Sequence, residues 1–76
     1  MTEYKLFLQK EYDRTVGFYD SYGISVFENG VLTRIVRDIS LDRKAVERMI
    51  YVFNEEQLDT VHLNQAVEEF LYDHQT

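Results

Sequence analysis

The stretch Tyr22-Gly23-Ile24-Ser25-Val26-Phe27-Glu28-Asn29-Gly30-Val31-Leu32-Thr33-Arg34-Ile35-Val36-Arg37 decides the fold of this 76-residue chain. Asn29-Gly30 lies between two runs rich in β-branched and aromatic residues. A two-residue type I′ turn needs φ > 0 at both central positions, and Asn and Gly adopt that conformation at least steric cost. The predicted hairpin sets Glu28 opposite Val31, Val26 opposite Thr33, Ile24 opposite Ile35 and Tyr22 opposite Arg37. One face then carries Tyr22, Ile24, Val26, Val31 and Ile35, and the other Ser25, Phe27, Leu32, Arg34 and Val36. Its larger β-branched content assigns the first face to the core. A slip of one residue would exchange the two faces, because side chains alternate along a strand.

Toward the N-terminus, Tyr4, Leu6 and Leu8 alternate with Lys5, Phe7 and Gln9, the period of a strand. A polar turn at Tyr12-Asp13-Arg14-Thr15 separates this strand from a second extended stretch, Val16 to Glu28. Gly23 marks a bulge or close approach in that stretch, and Asp20-Ser21 is a further candidate irregularity. Toward the C-terminus the period lengthens at Ser40. Ser40 is placed to cap a first helix, with Asp42 near the positive end of its dipole and Asn54 as a left-handed stop. Leu41, Ala45, Val46, Met49, Ile50 and Phe53 form its apolar stripe. Asp59 caps a second helix, with Leu58 and Leu63 at hydrophobic-staple spacing. Its stripe is Leu63, Ala66, Val67, Phe70 and Leu71. Two such helices after a three-stranded meander can bury both stripes on one sheet face. The expected fold is α+β, a three-stranded antiparallel meander with two C-terminal helices on one face, in the order β-β-β-α-α. The helices are expected over Leu6, Ile24, Val26 and Ile35, leaving Phe7, Phe27, Leu32 and Val36 on the open face.

Residues 1–76 have room for one domain, and a core of that size is marginal. Disulfides and thiolate metal sites are excluded because cysteine is absent. His62 and His74 are isolated from one another in sequence, so self-association is the remaining support. The formal net charge of −6 is unevenly placed. Residues 1–53 hold eight basic and eight acidic side chains, whereas the remainder carries Glu55, Glu56, Asp59, Glu68, Glu69 and Asp73 with no Lys or Arg. Nucleic-acid binding calls for a concentrated basic stripe, so no nucleic-acid partner is expected. The Met1-Thr2-Glu3-Tyr4-Lys5 start lacks the pattern of a signal peptide, and no apolar run is long enough to span a bilayer. The expectation is a cytoplasmic protein with no membrane association.

Candidate chemistry is sparse. Histidine is the side chain best suited to proton transfer or metal binding, but beside His62 the residues three and four positions on, Gln65 and Ala66, can neither relay a proton nor complete a metal site. It reads as a structural residue resting on the first helix or bonded to backbone. Glu68, Glu69 and Asp73 read as a solvated helix face, since calcium and magnesium need more oxygens, usually from a loop. Ser21, Ser25 and Ser40 lack a nucleophile motif, and Gly17, Gly23 and Gly30 are too far apart to cradle a phosphate. No catalytic, cofactor-binding or metal-binding residue is nominated, and no cofactor is expected. Tyr51 and Tyr72 fall off the apolar stripes, and exposed tyrosine suits an interface because it joins a large apolar body to a polar tip.

Several short motifs in order are similar to an uncharacterised family of short proteins, a domain of unknown function from anaerobic Gram-positive bacteria. They are Tyr22-Gly23-Ile24, Asp38-Ile39-Ser40-Leu41-Asp42, Phe53-Asn54, Val61-His62-Leu63 and Glu69-Phe70-Leu71, and the resemblance as a whole covers residues 4–72. The resemblance implies a stand-alone cytoplasmic domain and carries over no site residue. The functional reading is a noncatalytic protein-interaction or regulatory module, partnered by another protein or by itself as a homodimer. Its candidate interface is Phe7, Phe27, Leu32, Val36, Tyr51 and Tyr72. The alternative is a binding module that takes a small or basic ligand on the acidic second helix, and an enzyme ranks third.

Overall fold

The structure, a computed structural model, describes residues 1–74, apart from the side chain of His74. Three strands, β1 (Thr2–Asp13), β2 (Gly17–Glu28) and β3 (Val31–Ser40), precede α1 (Arg43–Glu55), a 3₁₀ turn (Thr60–His62) and α2 (Leu63–His74). The strands form one antiparallel sheet in the order β1-β2-β3, with both helices after it, as the sequence periods predict.

The β1–β2 ladder is regular from Thr2↔Glu28 to Asp13↔Gly17. Asp20 and Ser21 pair in step with Lys10 and Gln9, so the irregularity expected there is absent. The connecting turn lies slightly later than predicted because Asp13 organises it: Asp13 Oδ1 accepts from the Thr15 amide at 2.7 Å and the Val16 amide at 3.3 Å.

Asn29 and Gly30 adopt φ of 53° and 82°, and Glu28 faces Val31 as the turn chemistry requires. Beyond Phe27↔Leu32 the register departs from expectation. Val26 pairs with Arg34 rather than Thr33, and Ile24 with Val36 rather than Ile35. The extra residue is a β-bulge at Thr33, which exchanges the two faces of the strand beyond it. Val36 therefore packs against the core instead of standing on the open face. Ile35 is 38% exposed and Val31 is also exposed, so neither is a core residue. Arg34 moves to the helix side, where Nη2 donates to Asn64 Oδ1 at 2.6 Å.

A second bulge lies between Ile24↔Val36 and Tyr22↔Ser40, opposite Gly23. A Cβ on Gly23 would stand 2.2 Å from the Val36 carbonyl oxygen, so only glycine admits this approach. The bulge turns Asp38 to φ 53°.

Tyr4, Ile24 and Val26 from the sheet bury against Val46, Met49 and Phe53 of α1 and Leu63 and Val67 of α2. Tyr4 is central. Its ring meets Phe53 edge-on at 5.7 Å, and its hydroxyl donates to the Leu58 carbonyl at 2.6 Å. Burial, reinforced by the negative charges of Asp59 and Glu28, raises its pKa above the ordinary 10.0.

The helix ends correct two expectations. Asp42 is the N-cap of α1, its Oδ1 accepting from the Lys44 amide at 3.0 Å. Ser40 ends β3, accepts from the Asp42 amide through Oγ, and leaves Leu41 exposed outside the stripe. Asn54 stays helical, and the left-handed residue is Gln57, at φ 49°. The Asn54 side chain is engaged elsewhere: its Oδ1 accepts from the Tyr4 amide at 2.9 Å, and its Nδ2 donates to the Tyr4 carbonyl at 3.0 Å. Asp59 caps the 3₁₀ turn that leads into α2 rather than α2 itself, accepting from the Val61 amide. Leu63 is fully buried in the core and Leu58, half-buried, packs against that core.

Candidate functional site

Two 12-residue strands extend about 40 Å at roughly 3.3 Å per residue, whereas a 13-residue helix covers only about 20 Å. The helix layer therefore stops short of the β1–β2 hairpin tip. Side chains on the helix side of the sheet are buried at Tyr4, Ile24 and Val26 but lose their cover further along. Leu8 is 59% exposed, Tyr12 62% and Phe18 73%. Tyr12 and Phe18 pair edge-to-face at 5.1 Å, and the Lys10–Asp20 pair stands between them and Leu8. This apolar overhang was missed at the sequence level. Its signal was present in the disparity between strand length and helix length rather than in any motif.

The open face is less apolar in practice than its sequence suggests. Phe7 and Phe27 are half-buried, with the Arg37 guanidinium 5.8 Å and the Lys5 ammonium 4.9 Å from their ring centres. Such cation–π contacts cover ring faces that would otherwise meet water. Leu32 is exposed there, Val36 lies on the other side, and Tyr51 and Tyr72 are exposed on the helices. Tyr51 donates to Glu55 at 3.1 Å, and this bond is the main reason its pKa is raised. The six residues nominated from sequence thus do not form one patch.

A polar cluster holds the open face at the second bulge. The Asp38 amide donates to Gln9 Oε1 at 3.1 Å, Gln9 Nε2 donates to Glu11, and Ser21 Oγ donates to Asp38 Oδ1. Gln9 and Ser21 are buried, and each of these bonds satisfies a group that would be costly to leave unmade. Ser21 bonds a carboxylate, with no imidazole or amine in the network to take its proton, so the arrangement ties three strands together rather than activating a nucleophile. Tyr19 lies beside it, and Asp13, Val16, Tyr19, Asp38 and Leu41 line a shallow recess. Desolvation, then the charges of Asp38, Glu11 and Asp13, raise the Tyr19 pKa.

His62 is exposed rather than resting on α1, and the side chain of His74 lies outside the described residues. Glu68, Glu69 and Asp73 are exposed along α2, where Gln65 donates to Glu69 at 3.0 Å. Among the described residues no group of three or more His, Cys, Asp and Glu is arranged to hold a metal ion, and no helix is long and apolar enough to cross a membrane.

The outer edge of β1 borders this region. In an antiparallel ladder, successive residues direct their backbone groups alternately toward the neighbouring strand and away from it. Tyr4 directs its amide and carbonyl outward to Asn54, whereas the Met1 carbonyl accepts from the Asn29 amide on the inner side. Leu6, Leu8, Lys10 and Tyr12 therefore direct theirs outward too. Asn54 caps the edge at Tyr4, and the uncapped edge runs beneath the overhang.

Comparison with known proteins found no curated protein and no solved structure that matches this chain. A family model matches residues 1–73, nearly the whole sequence. The chain that folds into this sheet, helix pair and overhanging hairpin therefore belongs to DUF6514, a family of unknown function.

Proposed function

We propose that this chain is a noncatalytic protein-interaction module that binds through the tip half of its β1–β2 hairpin. The observation that carries the reading is the exposure of Leu8 and of the paired rings of Tyr12 and Phe18 on the helix side of the sheet, beyond the reach of the helices. Exposed aromatic side chains suit protein contact, because aromatic residues dominate the energetics of such interfaces. The adjoining free edge of β1 offers backbone donors and acceptors to an added strand.

The test is affinity capture from the native cell, with identification of the bound protein, using the parent chain and Phe18→Ser. Phe18 is exposed, so its replacement leaves the core intact. The expected result is a partner retained by the parent at roughly 1 M salt, where charge attraction is screened beyond about 3 Å, and lost with Phe18→Ser. Retention by both forms overturns the assignment to the hairpin. Binding abolished by salt and by Glu68→Gln with Glu69→Gln would instead support recognition of a basic ligand on α2.

A further inference from the structure

The two outer edges of the sheet are built differently. The β3 edge is broken by two bulges within ten residues, one of which holds Asp38 at positive φ. Bulges of this kind twist an edge away from strand addition. The β1 edge has no register break along its twelve residues. Asn54 blocks it at Tyr4, and the hairpin turn begins after Asp13. A free span from Leu6 to Tyr12 is left, centred on Gln9.

We propose that this span pairs antiparallel with the same span of a second copy of the chain, about a two-fold axis at Gln9, joining two sheets into one of six strands. The proposal rests on the module reading above and names its partner. Pairing over the whole span sets Leu6 opposite Tyr12 of the second copy, Phe7 opposite Glu11, and Leu8 opposite Lys10. The side chains keep their faces, because an antiparallel two-fold joint matches residues of the same parity.

The charge order along β1 suits this pairing. Lys5 meets Asp13 of the second copy just outside the span, and opposite charges across a strand pair are favourable. Arg14 of the second copy comes level with Tyr4, where Asn54 is followed by Glu55 and Glu56. No like charges stand opposed. Sliding the pairing by one two-residue step so that Leu8 meets its own symmetry copy would drive Tyr12 onto the edge that Asn54 occupies. One further step would oppose Glu3 and Glu11. The cap and the charges thus select one register. On the helix side, the exposed Tyr12 of one copy then lies against Leu6 of the other, withdrawing part of the overhang from water.

Light scattering after size exclusion of the full chain at tens of micromolar is the first measurement. A mass twice 9.1 kDa is expected, and 9.1 kDa overturns the proposal. Register is read by mixing Phe7→Cys with Glu11→Cys under mild oxidation, the parent having no cysteine to interfere. These positions form a pair without mutual backbone bonds, with Cα atoms about 4.5 Å apart, within the span a disulfide can bridge. The mixture should cross-link and neither variant alone should. Cross-linking of Phe7→Cys with itself places the axis at Phe7 and overturns the register. A dimer that does not cross-link in the mixture overturns the edge. A monomer that still captures an identified partner dependent on Phe18 overturns self-pairing while leaving the module reading in place, and a monomer that captures nothing overturns both.

Discussion

Replacing Asn54 separates two accounts of the same residue. As a left-handed helix stop, Asn54 would be matched or bettered by glycine, which adopts positive φ at no steric cost. In the structure it instead sits within α1 and holds both backbone groups of Tyr4, at 2.9 and 3.0 Å. Each such bond is worth a net 0.5–1.5 kcal/mol, roughly, and an orphaned backbone group beside a buried side chain adds to the loss. Tyr4 is among the most buried residues of the core. Asn54→Ala should therefore cost about 2 kcal/mol. Asn54→Gly should cost roughly 0.5–1 kcal/mol more, because it also loosens a helical position. Against a total stability of roughly 5 kcal/mol for a small domain, this is a large fraction. Urea unfolding followed by far-ultraviolet circular dichroism reads it. With a slope of about 1 kcal/mol per molar urea, the Asn54→Ala midpoint should fall by about 2 M, with Asn54→Gly below it. A glycine variant that unfolds at or above the parent midpoint would refute the edge-capping account.

Two further outcomes follow from the same geometry. Gly23→Ala drives a methyl group into the Val36 carbonyl at 2.2 Å, a backbone clash without a flexible side chain to yield, so a loss of at least about 3 kcal/mol is expected in thermal melting. A variant that melts with the parent would show that the second bulge can open. Tyr4→Phe should cost about 1 kcal/mol at neutral pH through the bond to the Leu58 carbonyl. It should also flatten the alkaline decline of stability. Below pH 10.0 the phenol is protonated in both states, and above it the unfolded chain loses its proton first, so the contribution is lost as pH rises through the higher folded value. Stability compared from about pH 9 to about 11 should fall less in the variant than in the parent. Equal slopes would mean that Tyr4 titrates alike folded and unfolded.

Local chemistry made much of this fold legible. The Asn29-Gly30 turn, the alternation of β1, the α1 stripe from Ala45 onward and the α2 stripe each depend on residues close together in the chain, and each formed where its period or turn residue placed it. Three decisions lay beyond that range. The face exposed by β3 was set by a one-residue bulge at Thr33, and nothing in the alternation of that strand distinguishes Ile35 from Val36. The role of Asn54 was set by a strand edge 50 positions away, which offered its amide side chain a better pair of partners than a helix end did. The candidate interaction site arose because the strands outrun the helices, a mismatch that appears only when the layers are stacked. Sequence determined the elements and their order through short-range sterics and periodic burial. The tertiary structure decided which side chains were left in water, because exposure depends on what every other element fails to cover.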